Sequence, residues 1–290
     1  MAEDTLDFEK SDRWVPSFGV VMGFTYQDQK GSVSSETIGD PNNPPRPPND
    51  NNALNQSPIA GGRLELISPT FEVPLQPRIF FNGEINFLAN QNREVAREGS
   101  PTGIDQPDVP AFPVQAITGV GSVTNSDARN VEYGAGVGIF IPFQVGDWSF
   151  AIKPSARYLR RHLNFDGFVI AARRPNPFGP TQEIFIQGKD HLDINALGPF
   201  LELEVDVAHW WTSVGASVFI EGGAFRILSD HDVEFSGNTS APNPTTGAPQ
   251  FFRATWTADV DPWIYRGSIG VRLRWGGMRS GWLGMGSRTD

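Results

Sequence analysis

The chain has 290 residues, with 33 acidic and 23 basic side chains and a net charge of −10. That balance argues against a nucleic-acid partner, which selects for a basic face. Cys is absent, which excludes disulfides, structural thiolate zinc and a lipidated N-terminal Cys. No run of about 18 apolar residues occurs, so no transmembrane helix is expected, although a wall of strands needs none.

In chain order, residues 1–13 read as a polar, acidic tail, with Glu3, Asp4, Asp7, Glu9 and Asp12. Met1 ahead of Ala2, Glu3 and Asp4 reads as a start residue restored to a mature N-terminus after signal cleavage. Strict alternation begins at Trp14: Phe18, Val20, Met22, Phe24 and Tyr26 are separated by Gly19, Val21, Gly23, Thr25 and Gln27. This is the period of a strand with two unlike faces. The segment DPNNPPRPPNDNNALNQSP follows, and its Pro and Asn content reads as a mobile loop with polyproline character. A second strand is expected at about 60–68, with Leu64 and Leu66 on one face and Arg63 and Glu65 on the other.

The third strand has Ile79, Phe81, Ile85 and Phe87 against Phe80, Asn82, Glu84 and Asn86. After a long loop at about 90–128, the fourth sets Val131, Tyr133, Val137, Ile139 and Ile141 against Glu132, Gly134, Gly136, Gly138 and Phe140. The tight turn QVGD leads into the fifth at Trp148, with Phe150, Ile152 and Tyr158 opposite Lys153, Arg157 and Arg161. A third long connection runs to about 190, and its strand-like ends predict a hairpin that continues past the membrane. Strand six sets Leu197, Leu201, Leu203 and Val205 against Phe200, Glu202 and Glu204, and strand seven sets Val218 and Ile220 against Phe219 and Glu221. A fourth long loop, about 229–255, leads to the last strand at 263–275, where Arg266, Arg272 and Arg274 alternate with apolar and aromatic residues.

The expected architecture is all-β: an eight-stranded antiparallel up-and-down transmembrane β-barrel, with four long extracellular loops and short periplasmic turns. The barrel spans residues 14–275, and residues 276–290 form a periplasmic C-terminal tail. Its aromatic residues gather at strand ends. Trp14, Trp148, Trp211 and Trp275 mark a periplasmic girdle, and Tyr26, Tyr133, Tyr158, Trp263 and Tyr265 mark the other interface. Pro154 and Pro199 fall mid-strand, where a closed wall has no edge to hide a missing donor, so a local bulge or bend is expected.

In a soluble sandwich the apolar faces point inward, whereas in a membrane barrel they point to lipid and the charges point to the lumen. The predicted inward charges are Arg63, Glu65, Glu84, Glu132, Lys153, Arg157, Arg161, Glu202, Glu204, Glu221, Arg266, Arg272 and Arg274. Strands five and six are expected to bring Lys153 and Arg157 beside Glu202 and Glu204, with Glu221 one strand from the arginines of strand eight. Acids and bases nearly balance, as they must if each charge is to be paired inside a narrow barrel. The set reads either as a sealed salt-bridge core or as a gated ion pathway.

Residues 268–275, SIGVRLRW, resemble the terminal targeting signal of bacterial outer-membrane barrels, with Ser268, Gly270, Leu273 and Trp275 in its slots. With the topology and the girdles, the chain resembles the small eight-stranded outer-membrane barrels of Gram-negative bacteria, the OmpA/OmpX/OmpW-like group. The resemblance implies a bacterial outer-membrane location. It also implies contact with outer-membrane lipid and lipopolysaccharide, with the barrel-assembly machinery during biogenesis, and with a surface or periplasmic protein. The family includes scaffolds, adhesion proteins, small-solute channels and lipid-modifying enzymes, so the fold does not choose among them.

No catalytic set, cofactor site or metal site is expected. Lipid-A deacylases of this size carry a His and a Ser two apart on a lipid-facing strand, and this chain has no such pair. His162 and His191 flank the third long connection without a Ser or Asp in triad pattern. Asp230, Asp232 and Glu234 offer oxygen ligands without the spacing of a calcium loop. Arg160, at the outer rim, is placed to meet lipopolysaccharide phosphates. The chain therefore reads as a non-enzymatic outer-membrane barrel with a charge-filled lumen and long surface loops serving surface interaction or envelope integrity. The alternative is a narrow channel for ions or small solutes, and a lipid-modifying enzyme is the remote one.

Overall fold

The computed structural model describes residues 13–39, 51–89, 93–98, 115–125, 131–146, 148–174, 182–210, 214–243 and 246–275. Trp211 and both expected tails, apart from Arg13, lie outside the described residues. Every regular element among them is a strand. In chain order these are β1 (Val15–Thr37), β2 (Asn51–Ile67), β3 (Arg78–Leu88), β4 (Arg93–Glu98), β5 (Gln115–Asn125) and β6 (Val131–Val145). They continue with β7 (Trp148–Arg174), β8 (Gln182–Trp210), β9 (Val214–Ile227), β10 (Asp232–Pro242), β11 (Pro249–Val260) and β12 (Trp263–Trp275).

Eight of these strands form a closed antiparallel ring, in the order β1-β12-β9-β8-β7-β6-β3-β2, with β2 returning to β1. They occupy the stretches where alternation is strongest in the sequence. Tight connections sit at one end, here the lower end: Val145 pairs with Trp148, and Gly146 takes the positive φ (60°) that this turn requires. Trp14 and Trp275 lie at the same end.

The regions expected as long loops contain strands instead. β1 runs on to Thr37 and pairs with β2 back to Asn51, inside the Pro- and Asn-rich segment. β7 and β8 pair without interruption from Phe150 with Val205 to Arg173 with Gln182, the expected continuing hairpin. β10 and β11 take over where β9 and β12 stop: β11 pairs with β1 above β12, and β10 pairs with β11. β5 pairs with β7 above β6, and β4 pairs with β5. The wall therefore has a second storey. Its joint is hydrogen-bonded: Leu228 N–H donates to the Asn195 carbonyl (2.8 Å), Asp261 N–H to the Asp28 carbonyl (2.8 Å) and Gln27 Nε2 to the Asp261 carbonyl (3.0 Å).

Of the bulge or bend expected at Pro154 and Pro199, no bulge is present. The β6–β7 ladder keeps its register and skips the pairs between Gly138–Ser155 and Ile141–Ile152. The β8–β9 ladder likewise skips from Leu197–Arg226 to Phe200–Gly223. A ladder that omits a rung needs no donor there. At these gaps the strands approach closely: a Cβ at Gly138 would lie 2.5 Å from the Pro154 carbonyl oxygen, and one at Gly223 would lie 2.4 Å from that of Pro199.

Apart from register shifts at Asp206/Ala208 on β8, Glu94/Ala96 on β4 and Ala116/Thr118 on β5, side-chain parity is kept along each strand, but the meaning of each face changes. In the lower storey the outward residues are Phe18, Val20, Met22 and Phe24 on β1, Leu64 on β2, Phe81 and Ile85 on β3, and Ile220 on β9, all exposed. Above Tyr26 and Tyr158 the outward residues become Asp28, Lys30, Arg160, His162, Asn164 and Asp166. Inward, the upper storey buries Val33, Leu163, Phe165, Val169, Ile184, Ile186, Phe235, Phe252 and Trp256 in one apolar cluster. A smaller cluster of Val15, Ile67, Phe80, Phe140 and Ala151 closes the lower end. The charges lie between the two.

Candidate functional site: the charged interior

All thirteen sequence-nominated charges are buried inside the ring, with Lys153 and Glu202 at 0% exposure. Each arrives there because it shares parity with its strand's inward face. Their pairing reaches well beyond neighbouring strands.

The middle layer is organised by Arg63. Its guanidinium donates to Glu84 on the adjacent strand (2.6 and 3.0 Å), bidentately to Glu221 on β9 (2.6 and 2.7 Å), and to Glu202 on β8 (3.1 Å). β2 and β8 are opposite in the ring order, so the Arg63–Glu202 contact spans the interior. Arg157 joins the layer through Glu221 (2.8 Å) and Glu202 (3.5 Å).

Below it, Lys153 meets Glu65 (2.6 Å) and Glu202 (3.0 Å), and Arg272 meets Glu202 (2.6 Å), Glu65 (3.4 Å) and Glu204. Arg274 pairs with Glu204 and with Asp206 at 3.5 Å. Above it, Arg161 binds Glu132 (2.8 Å), and Arg266 binds Glu84 (2.9 Å) and Glu132. The Lys153 and Arg157 neighbours of Glu202 are those expected from strand order. Glu221, however, is met by Arg63 and Arg157 and by the Ser268 hydroxyl (2.7 Å) rather than by an arginine of β12.

The inward phenyl rings form the other half of the site, which sequence reasoning did not use. Lys153 lies over Phe80 (4.5 Å), Arg157 over Phe200 (4.7 Å), Arg266 over Phe225 (5.1 Å), Arg272 over Phe219 (4.4 Å) and Arg274 over Phe140 (5.0 Å). Each ring lies against a cation that is also met by carboxylates. The available signal was parity, since each of these Phe residues alternates in step with the charges. Arg78 is a further buried cation, inward on β3 and 6.0 Å from Phe140, with no carboxylate partner among the described residues.

The small residues of β6 make this packing fit. A Cβ at Gly134 would fall 2.5 Å from the Glu84 side chain, at Gly136 2.6 Å from Asn82, and at Gly138 2.6 Å from Phe80. The glycines of residues 134–138 are thus clearance for the charged layer.

The remaining nominated residues lie on the outer face. Trp14 (against Phe81, 6.4 Å), Trp148 and Trp275 are exposed at the lower end, and Tyr26 and Tyr265 meet edge-on at 6.3 Å near the top of the apolar belt. In the targeting motif Ser268 and Gly270 face inward and Leu273 and Trp275 outward, so the motif is a stretch of ordinary wall. His162 and His191 do approach each other, with ring centroids 5.1 Å apart. His162 Nδ1 is 2.6 Å from Asp193 Oδ1, and Nε2 is 3.0 Å from Asn164 Oδ1. The hydrogen bond from His162 holds the Asp193 carboxyl below its usual pKa. Among the described residues no group of three or more His, Asp or Glu is arranged to hold a metal.

The class defined by fold and interior is an all-β protein, an antiparallel sheet whose ring runs through eight strands around buried ion pairs. No family model matches the chain, and no characterised protein matches it by sequence. Among solved structures it is similar to the outer membrane protease OmpT from Escherichia coli, at 9% identity and a TM-score of 0.30, over 92% of this chain and 98% of that one. It is also similar to the outer membrane protein OprG from Pseudomonas aeruginosa (9% identity, TM-score 0.22, 88% and 95% covered). A third similarity is to an anion-selective porin from Comamonas acidovorans (10% identity, TM-score 0.13, 83% and 100% covered). At such scores neither the protease's chemistry nor the porin's selectivity transfers to this chain.

Proposed function

We propose that the chain is a bacterial outer-membrane protein, an eight-stranded transmembrane barrel with a sealed, non-conducting interior that holds a rigid β-structured platform above the outer leaflet for surface interaction. The observation that carries this reading is the reversal of polarity along single strands. Below Tyr26 on β1 and Tyr158 on β7 the wall shows apolar side chains to its surroundings and buries charge; above them polar side chains predominate outside, with Ile170, Phe185 and Phe251 also exposed, and the interior is an apolar cluster. A hydrocarbon layer favours the first arrangement and water the second.

Sealing follows from the filling. The interior passes from the lower phenyl cluster through ion pairs that cross its full width into the apolar core of the upper storey. An ion in transit would have to part the Arg63 bridges to Glu202 and Glu221, each made at hydrogen-bond distance. The reading is also non-enzymatic. Both nitrogens of His162 are engaged, by Asp193 and Asn164, so the ring has no free position for activating a nucleophile.

Planar-bilayer recording of the refolded protein tests this, with folding verified by heat-modifiable gel mobility. A silent bilayer is expected. Reproducible conductance steps altered by Arg157→Glu or Glu202→Lys would make the interior a pathway and overturn the sealed reading.

A further inference from the structure

The charges inside the ring do not cancel. Among the described residues fourteen charged side chains are buried, eight cations and six carboxylates. Partly buried Asp206, against Arg274, raises the acids to seven. One positive charge is left over. Every buried cation but one reaches a carboxylate. The exception is Arg78, 4% exposed, whose Nε also has no hydrogen-bond partner among the described residues. A charge held out of water is strongly disfavoured unless a counter-charge joins it.

The surplus is local to the lower mouth. Arg78 opens β3 and Arg274 lies at the end of β12, yet both guanidiniums meet one ring, Phe140, at 6.0 and 5.0 Å. The acids that reach this end are already engaged. Asp206 lies 3.5 Å from Arg274, and Glu204 is shared by Arg274, Arg272 and the Ser217 hydroxyl. Ser17, the cross-strand partner of Arg274, is buried with its hydroxyl oxygen unpartnered. Donors therefore outnumber acceptors at the lower mouth, and the strongest of them is a cation.

We propose that the lower mouth binds one small monocarboxylate, with Arg78 as its anchor and Phe140 and Arg274 at its flank. The proposal rests on the charge balance inside the ring and not on the membrane reading. Because the surplus is one, a single negative charge cancels it and a dianion overshoots. Two carboxylate oxygens in one plane match two parallel N–H groups of a guanidinium, a fork that lysine lacks. Phe140 belongs to the apolar cluster with Val15, Ile67 and Ala151. Such surroundings strengthen the attraction and weigh against a doubly charged oxyanion, which is costlier to strip of water.

The test uses the full chain refolded in zwitterionic micelles and titrated with isotope-labelled formate, chloride holding the ionic strength constant. The formate carbon line, followed by NMR, should broaden saturably with the parent chain. Arg78→Lys, which keeps the charge and loses the fork, should bind about tenfold more weakly, the usual worth of a charge-assisted hydrogen bond. Arg78→Gln should show no saturable binding. Heat-modifiable gel mobility checks the fold of each variant, and Arg78→Lys decides alone if the Gln variant does not refold. Formate should also raise the temperature at which the parent loses its heat-resistant form and leave that of Arg78→Gln unmoved. Unchanged binding in either variant overturns the site. So does a parent without saturable binding, which would mean that water at the mouth solvates Arg78. Phosphate displacing formate at lower concentration than acetate does would overturn the monocarboxylate assignment.

Discussion

The two storeys of the wall use one rule in opposite senses. On β7, Lys153, Arg157 and Arg161 point inward, and a few residues later Leu163, Phe165 and Val169 occupy the same face. Outward, Ile152 and Tyr158 give way to Arg160, Asn164 and Asp166. Alternation fixes which residues share a face, but it leaves open which face meets the surroundings. The boundary falls at Tyr158 on β7 and at Tyr26 on β1, whose cross-strand partner on β12 is Tyr265. The difference shows that the environment, rather than the strand, selects what is buried. In the lower storey the interior is held by ion pairs, whose energies are large and opposed; in the upper storey it is held by apolar packing. The two should therefore fail differently.

The largest effect is expected at Arg63. Arg63→Ala removes the closest cation bridging Glu84, Glu202 and Glu221 and leaves Arg157 as the one they share, which costs about 3–5 kcal/mol for a broken buried pair. Urea unfolding in micelles should show the loss, together with disappearance of the heat-resistant gel form. Next comes Trp256→Ala. Trp256 is fully buried against Phe235 (5.4 Å) and against Gly167 and Gly188, where no Cβ would fit. Its removal should cost about 3–5 kcal/mol locally, as large-to-small core changes do. Hydrogen exchange should then accelerate in β10 and β11 while β12 stays protected. Equal acceleration in both would mean that the storeys are one cooperative unit, and the comparison would fail.

Much of the lower storey was legible because its alternation is long and its faces differ sharply. Period and parity located the eight ring strands and the inward charges. The upper storey was harder to read for a physical reason. Asn51 to Ser57 carries little apolar signal of its own, and its strand exists because β1 offers a ladder to Gly31. β10 and β11 did carry a signal, since Phe252, Ala254, Trp256, Ala258 and Val260 alternate in the same parity as Ile264 and Arg266. That signal was hidden by the expectation that inward means polar. The cross-interior partners of Arg63 were not legible at all. Strand order in the sequence gives neighbours, whereas contact between β2 and β8 depends on how the closed ring sets their heights.

A pair of lysine substitutions sharpens the boundary itself. Ile220 is 59% exposed in the middle of the belt, and Gln187 is exposed on β8 in the upper storey. Ile220→Lys should cost about 2–4 kcal/mol if the belt lies in hydrocarbon, whereas Gln187→Lys should stay within about 0.5 kcal/mol, as at an ordinary wet surface. Equal, small costs at both positions, measured by unfolding in bilayers, would remove the basis for two environments.

The smallest effect concerns Asp193, which lies on the upper side of the boundary and is half exposed to solvent. Its carboxyl titrates below its usual value chiefly because His162 donates to it, with Arg160 and His191 adding positive charge nearby. A depressed carboxylate pKa favours the folded state above the unfolded-state value, and the contribution is lost as pH falls through the folded-state value. His162→Ala should therefore move the Asp193 titration upward toward the ordinary Asp range, read by carboxyl-carbon NMR across the acid limb. Solvent screening at so exposed a pair should leave overall stability almost unchanged. A titration unmoved by the substitution would mean that the pair is not held in the wet storey as the geometry places it.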